Sequence, residues 1–139
     1  MPITGHNRKT NSVQWHVPSD KLCNDLAKFG VTPRKTKTLP FPDLPKENMR
    51  NYLRGYFYGD GCAHKYPNRM TYSFVGNRMF IESLKLYLET NTNINHCVVS
   101  NSRSFEYPLL VLQGKNATLF ADFIFNSNKM ILLPRKHIV

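Results

Sequence analysis

The sequence is poor in acidic residues. Its 139 residues include nine Asp and Glu against 19 Lys and Arg, which gives a formal net charge of +10 at neutral pH. A positive excess of this size in a small domain favours a polyanionic partner, most commonly a nucleic acid. A basic protein without such a partner is the alternative. An anionic membrane surface is disfavoured, because no helical segment is both strongly amphipathic and Lys-rich on one face.

Cysteine is scarce, and long apolar runs are absent. Cys23, Cys62 and Cys97 are far apart, odd in number and without a Cys-x-x-Cys pair, which argues against a disulfide framework and against a thiolate zinc site. No run of about 18 apolar residues occurs, which excludes a membrane-spanning helix. The polar N-terminus lacks the apolar core of a signal peptide. We therefore expect an intracellular, non-secreted protein with no membrane partner.

Common catalytic motifs are missing as well. The sequence contains no legible Ser-His-Asp or Cys-His arrangement and no phosphate-binding glycine loop, and its five histidines show no metal-ligand spacing. Nucleophilic catalysis by a side chain is therefore not indicated.

The chain does contain an ordered series of helix and strand patterns. Residues 12–17 alternate as a strand does, a short helix follows up to Gly30, and residues 31–45 hold enough prolines to predict an extended connector without regular elements. From residue 46 the order is helix, two strands, helix, two strands, helix. We predict an α+β fold with helices on one face of an antiparallel sheet. Residues 1–44 would form an appendage and linker, the first twelve of them loose, and residues 45–139 the main domain.

Part of this series of elements occurs twice in the sequence. Strand, short helix and Pro-Arg-Lys occur over residues 13–35 and again over residues 109–136, which suggests a duplication. The first copy lacks the upstream helix and hairpin of the second, so residues 1–44 resemble the remnant of a first repeat.

The most specific stretch is LRGYFYGDG, residues 53–61. Gly55 and Gly59 are four apart, so they share one helix face and would let another backbone approach closely. A carboxylate at a helix C-terminus meets partial negative charge, so Asp60 costs stability unless a cation compensates. The alternative is an ordinary turn in which Asp60 accepts bonds from nearby backbone N–H groups.

This stretch resembles the nine-residue motif of the LAGLIDADG homing endonucleases. Leu53, Gly55, Asp60 and Gly61 agree with it, whereas Tyr58 stands where the motif has its first aspartate. The following YSFVGN, an amphipathic helix and the terminal LLPRK look like the second half of a two-repeat enzyme, and PRKTKTLPFPDLP is similar to the linker between its repeats. Only one motif helix is present.

The resemblance implies an αββαββα unit with a saddle-shaped sheet and a site-specific endonuclease that hydrolyses double-stranded DNA with Mg²⁺ or Mn²⁺. Asp60 and the Gly59 backbone carbonyl would hold the metal, and Lys136 would stabilise charge on the phosphate. Two such helices packed together would bring two Asp60 carboxylates side by side, an arrangement that demands a divalent cation.

The resemblance also implies a partner, because one motif makes half an active site. That partner is either a second copy of the chain or a separately encoded first-repeat chain. The expected interface residues are Tyr52, Gly55, Tyr56 and Gly59.

A sheet of this kind would read DNA through exposed side chains. The expected DNA-binding residues are His64, Lys65, Tyr66, Asn68, Arg69, Tyr72, Ser73, Ser100, Asn101, Ser102, Arg103, Lys35 and Arg135. Arg and Asn suit base edges, whereas Lys suits phosphates. Two alternatives remain open: a DNA- or RNA-binding protein of the same fold without nuclease activity, such as an intron maturase or a regulator, and a remnant without function. The gene could belong to an intron or an intein, or stand free.

Overall fold

A computed structural model describes residues 3–7 and 9–126 of the chain. The chain divides into two compact units, residues 1–33 and residues 34–139. Residues 34–44, which the sequence assigns to the linker, therefore belong to the second unit. Within the described residues, none of the helices is both long and apolar enough to cross a membrane.

The first unit is a β-hairpin followed by a helix. Strand β1 (Ile3–Asn7) pairs antiparallel with β2 (Ser12–Trp15), and helix α1 covers Asp20–Ala27. The Ser19 side chain caps α1 by accepting a 3.2 Å hydrogen bond from the Leu22 backbone N–H. The strand at Ser12 and the helix are as predicted. The prediction that the first twelve residues are loose was wrong, because pairing with β2 makes a strand of a polar segment that has no hydrophobic alternation.

The second unit has the predicted order. Its elements are α2 (Lys46–Asp60), β3 (Cys62–Tyr66), β4 (Arg69–Val75), α3 (Arg78–Asn91), β5 (Val98–Ser100), β6 (Leu109–Gln113) and α4 (Lys115–Phe125). The connector before α2 is not wholly irregular, because Lys35–Lys37 forms a short 3₁₀ helix. Prolines flank this turn at positions 33 and 40 but do not enter it, so its backbone hydrogen bonds can form.

The sheet of the second unit is antiparallel throughout, in the order β3-β4-β6-β5. Its central register pairs Tyr72 with Leu112 and Phe74 with Leu110, and all four side chains are fully buried. They form one core with the apolar faces of the helices, among them Leu53 and Phe57 of α2, Ile81 and Leu84 of α3, and Phe120 and Ile124 of α4. The sheet face opposite these residues is not covered by α2, α3 or α4.

The buried position of Tyr72 corrects one predicted site residue. Side chains alternate between the two faces of a strand, so Tyr72 and its neighbour Ser73 cannot both lie on the face away from the helices. Tyr72 points into the core, where its ring lies 5.3 Å from that of Phe57, edge to face. Tyr72 therefore does not contact DNA.

Candidate active site and nucleic-acid interface

A cavity of about 270 Å³ lies at the C-terminal end of α2. Asp60 lines it at the end of the helix, Lys35 and Thr36 line it from the 3₁₀ turn, and Asn77 and Tyr107 also line it. Asp60 and Lys35, an acidic and a basic residue 25 positions apart in the sequence, thus line one cavity.

Asp60 owes its position to the way α2 ends. The backbone N–H of Gly61 donates a 2.9 Å hydrogen bond to the Phe57 carbonyl, and the chain then turns directly into β3. A Cβ at position 61 would lie 2.1 Å from the Phe57 ring and 2.7 Å from its carbonyl oxygen. Glycine is therefore required here for space. The Asp60 side chain is exposed, and no ion pair to it exists among the described residues.

Tyr56 lies one turn before Asp60 and fixes the helix against the sheet. Its hydroxyl donates a 2.8 Å hydrogen bond to the Val75 carbonyl, and its ring stacks on Phe80 at 4.6 Å. Burial, and then the negative charge of Asp60, raise the pKa of Tyr56 well above its usual range.

Asn77 connects the helix after β4 to the turn that carries Lys35. Its Oδ1 accepts a 2.9 Å hydrogen bond from the Phe80 backbone N–H and so caps α3. Its Nδ2 donates to the Leu39 carbonyl at 3.0 Å and to the Thr36 carbonyl at 3.4 Å. One buried amide thus holds both segments that border the cavity.

One side of α2 carries small and polar residues that are exposed. Asn51, Gly55 and Gly59 are exposed at spacings of four. Among the described residues, a Cβ added at Gly55 or at Gly59 would meet nothing within 4 Å, so no contact in that part of the chain requires glycine at either position. Tyr52 is half-buried beside this stripe and stacks on Tyr56. Tyr56 itself packs inside its own unit.

The sheet face away from the helices brings together several of the predicted DNA-binding residues. His64, Tyr66, Arg69 and Ser73 share this face by their register. The His64 Nε2 lies 3.1 Å from the Cys62 sulfur, and the Arg69 guanidinium lies 4.9 Å from the centre of the Tyr66 ring. Lys65 is exposed, but its register with Met70 places it on the face that the helices cover. Asn68 is exposed in the turn between β3 and β4.

Thr71 and Gln113 also lie on this face, and neither was predicted from the sequence. Thr71 lies opposite His64 on one side and Gln113 on the other. Its side chain is buried, and its hydroxyl has no hydrogen-bond partner within the part of the chain that the structure describes. Strict two-residue alternation around the apolar Tyr72 and Phe74 would have identified Thr71 from the sequence.

The loop between β5 and β6 holds the second predicted group. Ser100 ends β5, and Asn101, Ser102 and Arg103 are exposed. The Arg78 guanidinium lies 3.8 Å from the centre of the Phe105 ring and donates to the Asn101 side chain, which ties the loop to α3. Lys136 and Arg135 lie outside the described residues.

The helix that ends in Asp60, the uncovered glycine stripe and the four-stranded sheet define an αββαββα unit of the kind the motif implies. Residues 47–124, more than half of the chain, match the family model described as a LAGLIDADG-like domain. The chain therefore belongs to the LAGLIDADG family, which includes homing endonucleases and maturases. No significant match was found among curated proteins or among solved structures.

Proposed function

We propose that this chain is a subunit of a site-specific, metal-dependent endonuclease that cuts double-stranded DNA. The observation that carries the proposal is the exposed Asp60 carboxylate at the end of the motif helix, in the same cavity as Lys35. A carboxylate at a helix C-terminus, without an ion pair among the described residues, is poised to hold a cation. The formal charge of +10 suits a DNA partner.

The donor set fits half of a magnesium site. No cluster of three or more His, Cys, Asp or Glu side chains that could bind a metal occurs among residues 3–7 and 9–126. Mg²⁺ commonly takes only one or two carboxylates, its other ligands being water and phosphate oxygens. Asp60 and the Gly59 carbonyl would hold the ion, with a second carboxylate from the partner. Bound there, it would supply an activated water and stabilisation of the leaving oxygen.

Lys35 would support this chemistry, since it lines the same cavity as Asp60. An ammonium group beside a bound phosphodiester stabilises the negative charge that develops during hydrolysis. We assign this role to Lys35 in place of the phosphate contact expected from the sequence. The expected role of Lys136 stays a prediction.

The partner that completes the site would pack on the glycine stripe of α2. Glycine inside a helix costs roughly 0.5–1 kcal/mol relative to alanine, and at Gly55 and Gly59 no contact with the residues that the structure describes explains that cost. A second helix in close approach would explain it. A second copy of the chain related by two-fold symmetry is the simplest partner, with a near-palindromic target. Light scattering tests this directly, since a homodimer has twice the 16.1 kDa mass of the chain, and a monomer would point to a different partner chain.

DNA would lie on the sheet face that the helices leave uncovered. His64, Arg69 and Gln113 there are exposed and offer donors and acceptors on three neighbouring strands. The exposed Asn101 and Arg103 extend this surface along the β5–β6 loop.

A binding protein without nuclease activity is the second candidate, and one observation favours it. Tyr58 replaces the first aspartate of the motif, and its ring lies 6.1 Å from Phe125. Its hydroxyl is buried without a partner among the described residues. Tyr58 therefore brings no metal ligand, and the chain would depend on Asp60 alone.

Cleavage by Asp60 variants separates the two candidates. DNA ligands would be selected from a randomised duplex library in Ca²⁺, and the selected duplexes then incubated with Mg²⁺ or Mn²⁺. We expect the wild type to cut them and Asp60→Asn to bind without cutting. Asp122→Asn, an exposed carboxylate on α4, is the matched control and should cut normally. Binding without cutting by the wild type would establish the second candidate, and no selectable DNA ligand would contradict the endonuclease.

A further inference from the structure

Asn77 performs two tasks with one side chain, and only one of them explains why it is an asparagine. Capping of α3 needs an oxygen acceptor, for which Asp or Ser serves about as well as Asn. The two bonds from Nδ2 to the Leu39 and Thr36 carbonyls need an amide donor. Asp has no such donor, and the shorter Ser side chain does not extend as far.

The segment that receives these bonds is the one that carries Lys35. Arg34, just before it, has a φ of 59°, a left-handed conformation that a residue with a Cβ adopts only under constraint. Leu39 is buried at the far end of the segment. Between these two points, Asn77 holds the turn from the cavity side, and Thr36 and Asn77 both line the cavity with Asp60.

We propose that Asn77 is a positioning residue that directs Lys35 towards Asp60 by holding the backbone of residues 36–39. Its effect on DNA cleavage rests on the proposed endonuclease function. Its effect on the placement of Lys35 does not, because the hydrogen bonds lie within the chain. An amide fixed by the start of α3 would reduce the reorganisation that Lys35 needs when a phosphodiester binds.

A double-mutant cycle tests whether Asn77 acts through Lys35. Asn77→Ser keeps the cap acceptor and removes the amide donor. We expect it to lower kcat for DNA cleavage about tenfold at an unchanged KM, and to have less than a twofold effect in a Lys35→Met background. Ile94→Val, a buried change elsewhere in the same unit, is the control for general loss of stability and should leave kcat unchanged. An equal loss in both backgrounds, or a similar loss from Ile94→Val, would overturn the proposal.

A second measurement does not depend on cleavage. Lysines would be dimethylated with ¹³C-formaldehyde and the Lys35 signal assigned by its absence in Lys35→Arg. We expect Asp60→Asn to shift this signal in the wild type, and the response to disappear in Asn77→Ser. Asn77→Asp replaces the serine variant if that one does not fold. The positioning role would be refuted if Asp60→Asn left the Lys35 chemical shift unchanged in the wild type. It would also be refuted if the substitution changed that shift equally with and without the Asn77 amide. If the wild type cuts no DNA, the endonuclease proposal fails and these spectra still decide the role of Asn77.

Discussion

The hydroxyl of Tyr56 donates a 2.8 Å hydrogen bond to the carbonyl oxygen of Val75. This bond ties α2 to the end of β4 one turn before Asp60. The Tyr56 ring stacks on both Phe74 and Phe80, so the sheet and α3 contact the motif helix near its end. The orientation of Asp60 therefore depends on packing inside the unit as well as on any partner.

Tyr56→Phe tests this connection. The change keeps the ring and removes the hydroxyl, which leaves the Val75 carbonyl without this donor. We expect a loss of about 1 kcal/mol in the free energy of unfolding, measured by urea denaturation. Tyr66→Phe, at an exposed tyrosine of β3, is the matched control and should change stability by less than half of that. Equal effects of the two changes would contradict the structural role of the Tyr56 hydroxyl.

The three glycines of the motif should respond differently to alanine. Gly61→Ala forces a Cβ into the Phe57 ring, and we expect a destabilisation of about 1–3 kcal/mol. Gly59→Ala meets open space and should raise helix stability by roughly 0.5–1 kcal/mol. Chemical denaturation of the two variants measures this contrast.

The same Gly59→Ala change should weaken association. A methyl group on the stripe keeps a second helix from approaching closely, so we expect at least a tenfold higher dissociation constant by analytical ultracentrifugation. Gly55→Ala should behave in the same way. A variant that is more stable and associates as tightly as the wild type would show that α2 is not the contact surface.

Thr71→Val tests both stability and DNA binding on the sheet. The Thr71 hydroxyl is buried without a partner among the described residues, so replacing it with an isosteric methyl group should leave the free energy of unfolding unchanged or slightly higher. Because this hydroxyl is buried, it does not reach a base edge, and DNA affinity should change by less than about twofold. Fluorescence anisotropy with the selected duplex measures this, and a loss of about tenfold or more would show that DNA reaches the Thr71 hydroxyl.

Arg54 should contribute to stability by capping another helix. It is buried on α2, and its Nη1 donates a 3.0 Å hydrogen bond to the Ile124 carbonyl in the last turn of α4. We expect Arg54→Met to cost about 1–3 kcal/mol in urea denaturation, because the carbonyl loses a charged donor. Arg50→Met is the control, since the Arg50 bond to Asn126 is exposed and longer, at 3.4 Å, and it should cost less than 1 kcal/mol.

Alkaline pH should destabilise the chain through Cys97. Burial, and then the charge of Glu89, raise the pKa of this thiol from 9.0 to about 11. The folded state thus keeps its proton where the unfolded chain has lost it. Stability is full below pH 9 and falls as the pH rises towards 11, by up to about 2 kcal/mol.

Cys97→Ala should flatten this decline between pH 8.5 and 10. Tyrosines of the unfolded chain begin to ionise in the same range, but they contribute equally to both proteins. Thermal unfolding across that range measures the slopes. The backbone N–H of residue 97 keeps its bond to Glu89 in the variant, so only the thiol is tested. Parallel curves for the two proteins would contradict the assignment.

The local sequence predicted a helix or strand correctly wherever its hydrophobic spacing is compatible with only one of the two. Met49, Leu53 and Phe57 recur at helical spacing and are buried in α2, and Gly61 ends the helix as the motif predicts. Tyr72 shows where this reasoning failed. A polar hydroxyl on an aromatic ring suits either face of a strand, so the residue type alone does not decide. Alternation with Phe74 and the register with Leu112 place Tyr72 in the core.

The sequence by itself determined the αββαββα order and the family, because helix and strand periodicity and the LRGYFYGDG motif are local properties of the chain. The tertiary structure decided which residues meet. Lys35 lies outside the matched residues 47–124, and it joins Asp60 only because residues 34–39 fold back onto the start of α3, where the Asn77 amide binds them. Contacts between distant segments depend on hydrogen bonds and packing in three dimensions, which no local spacing encodes.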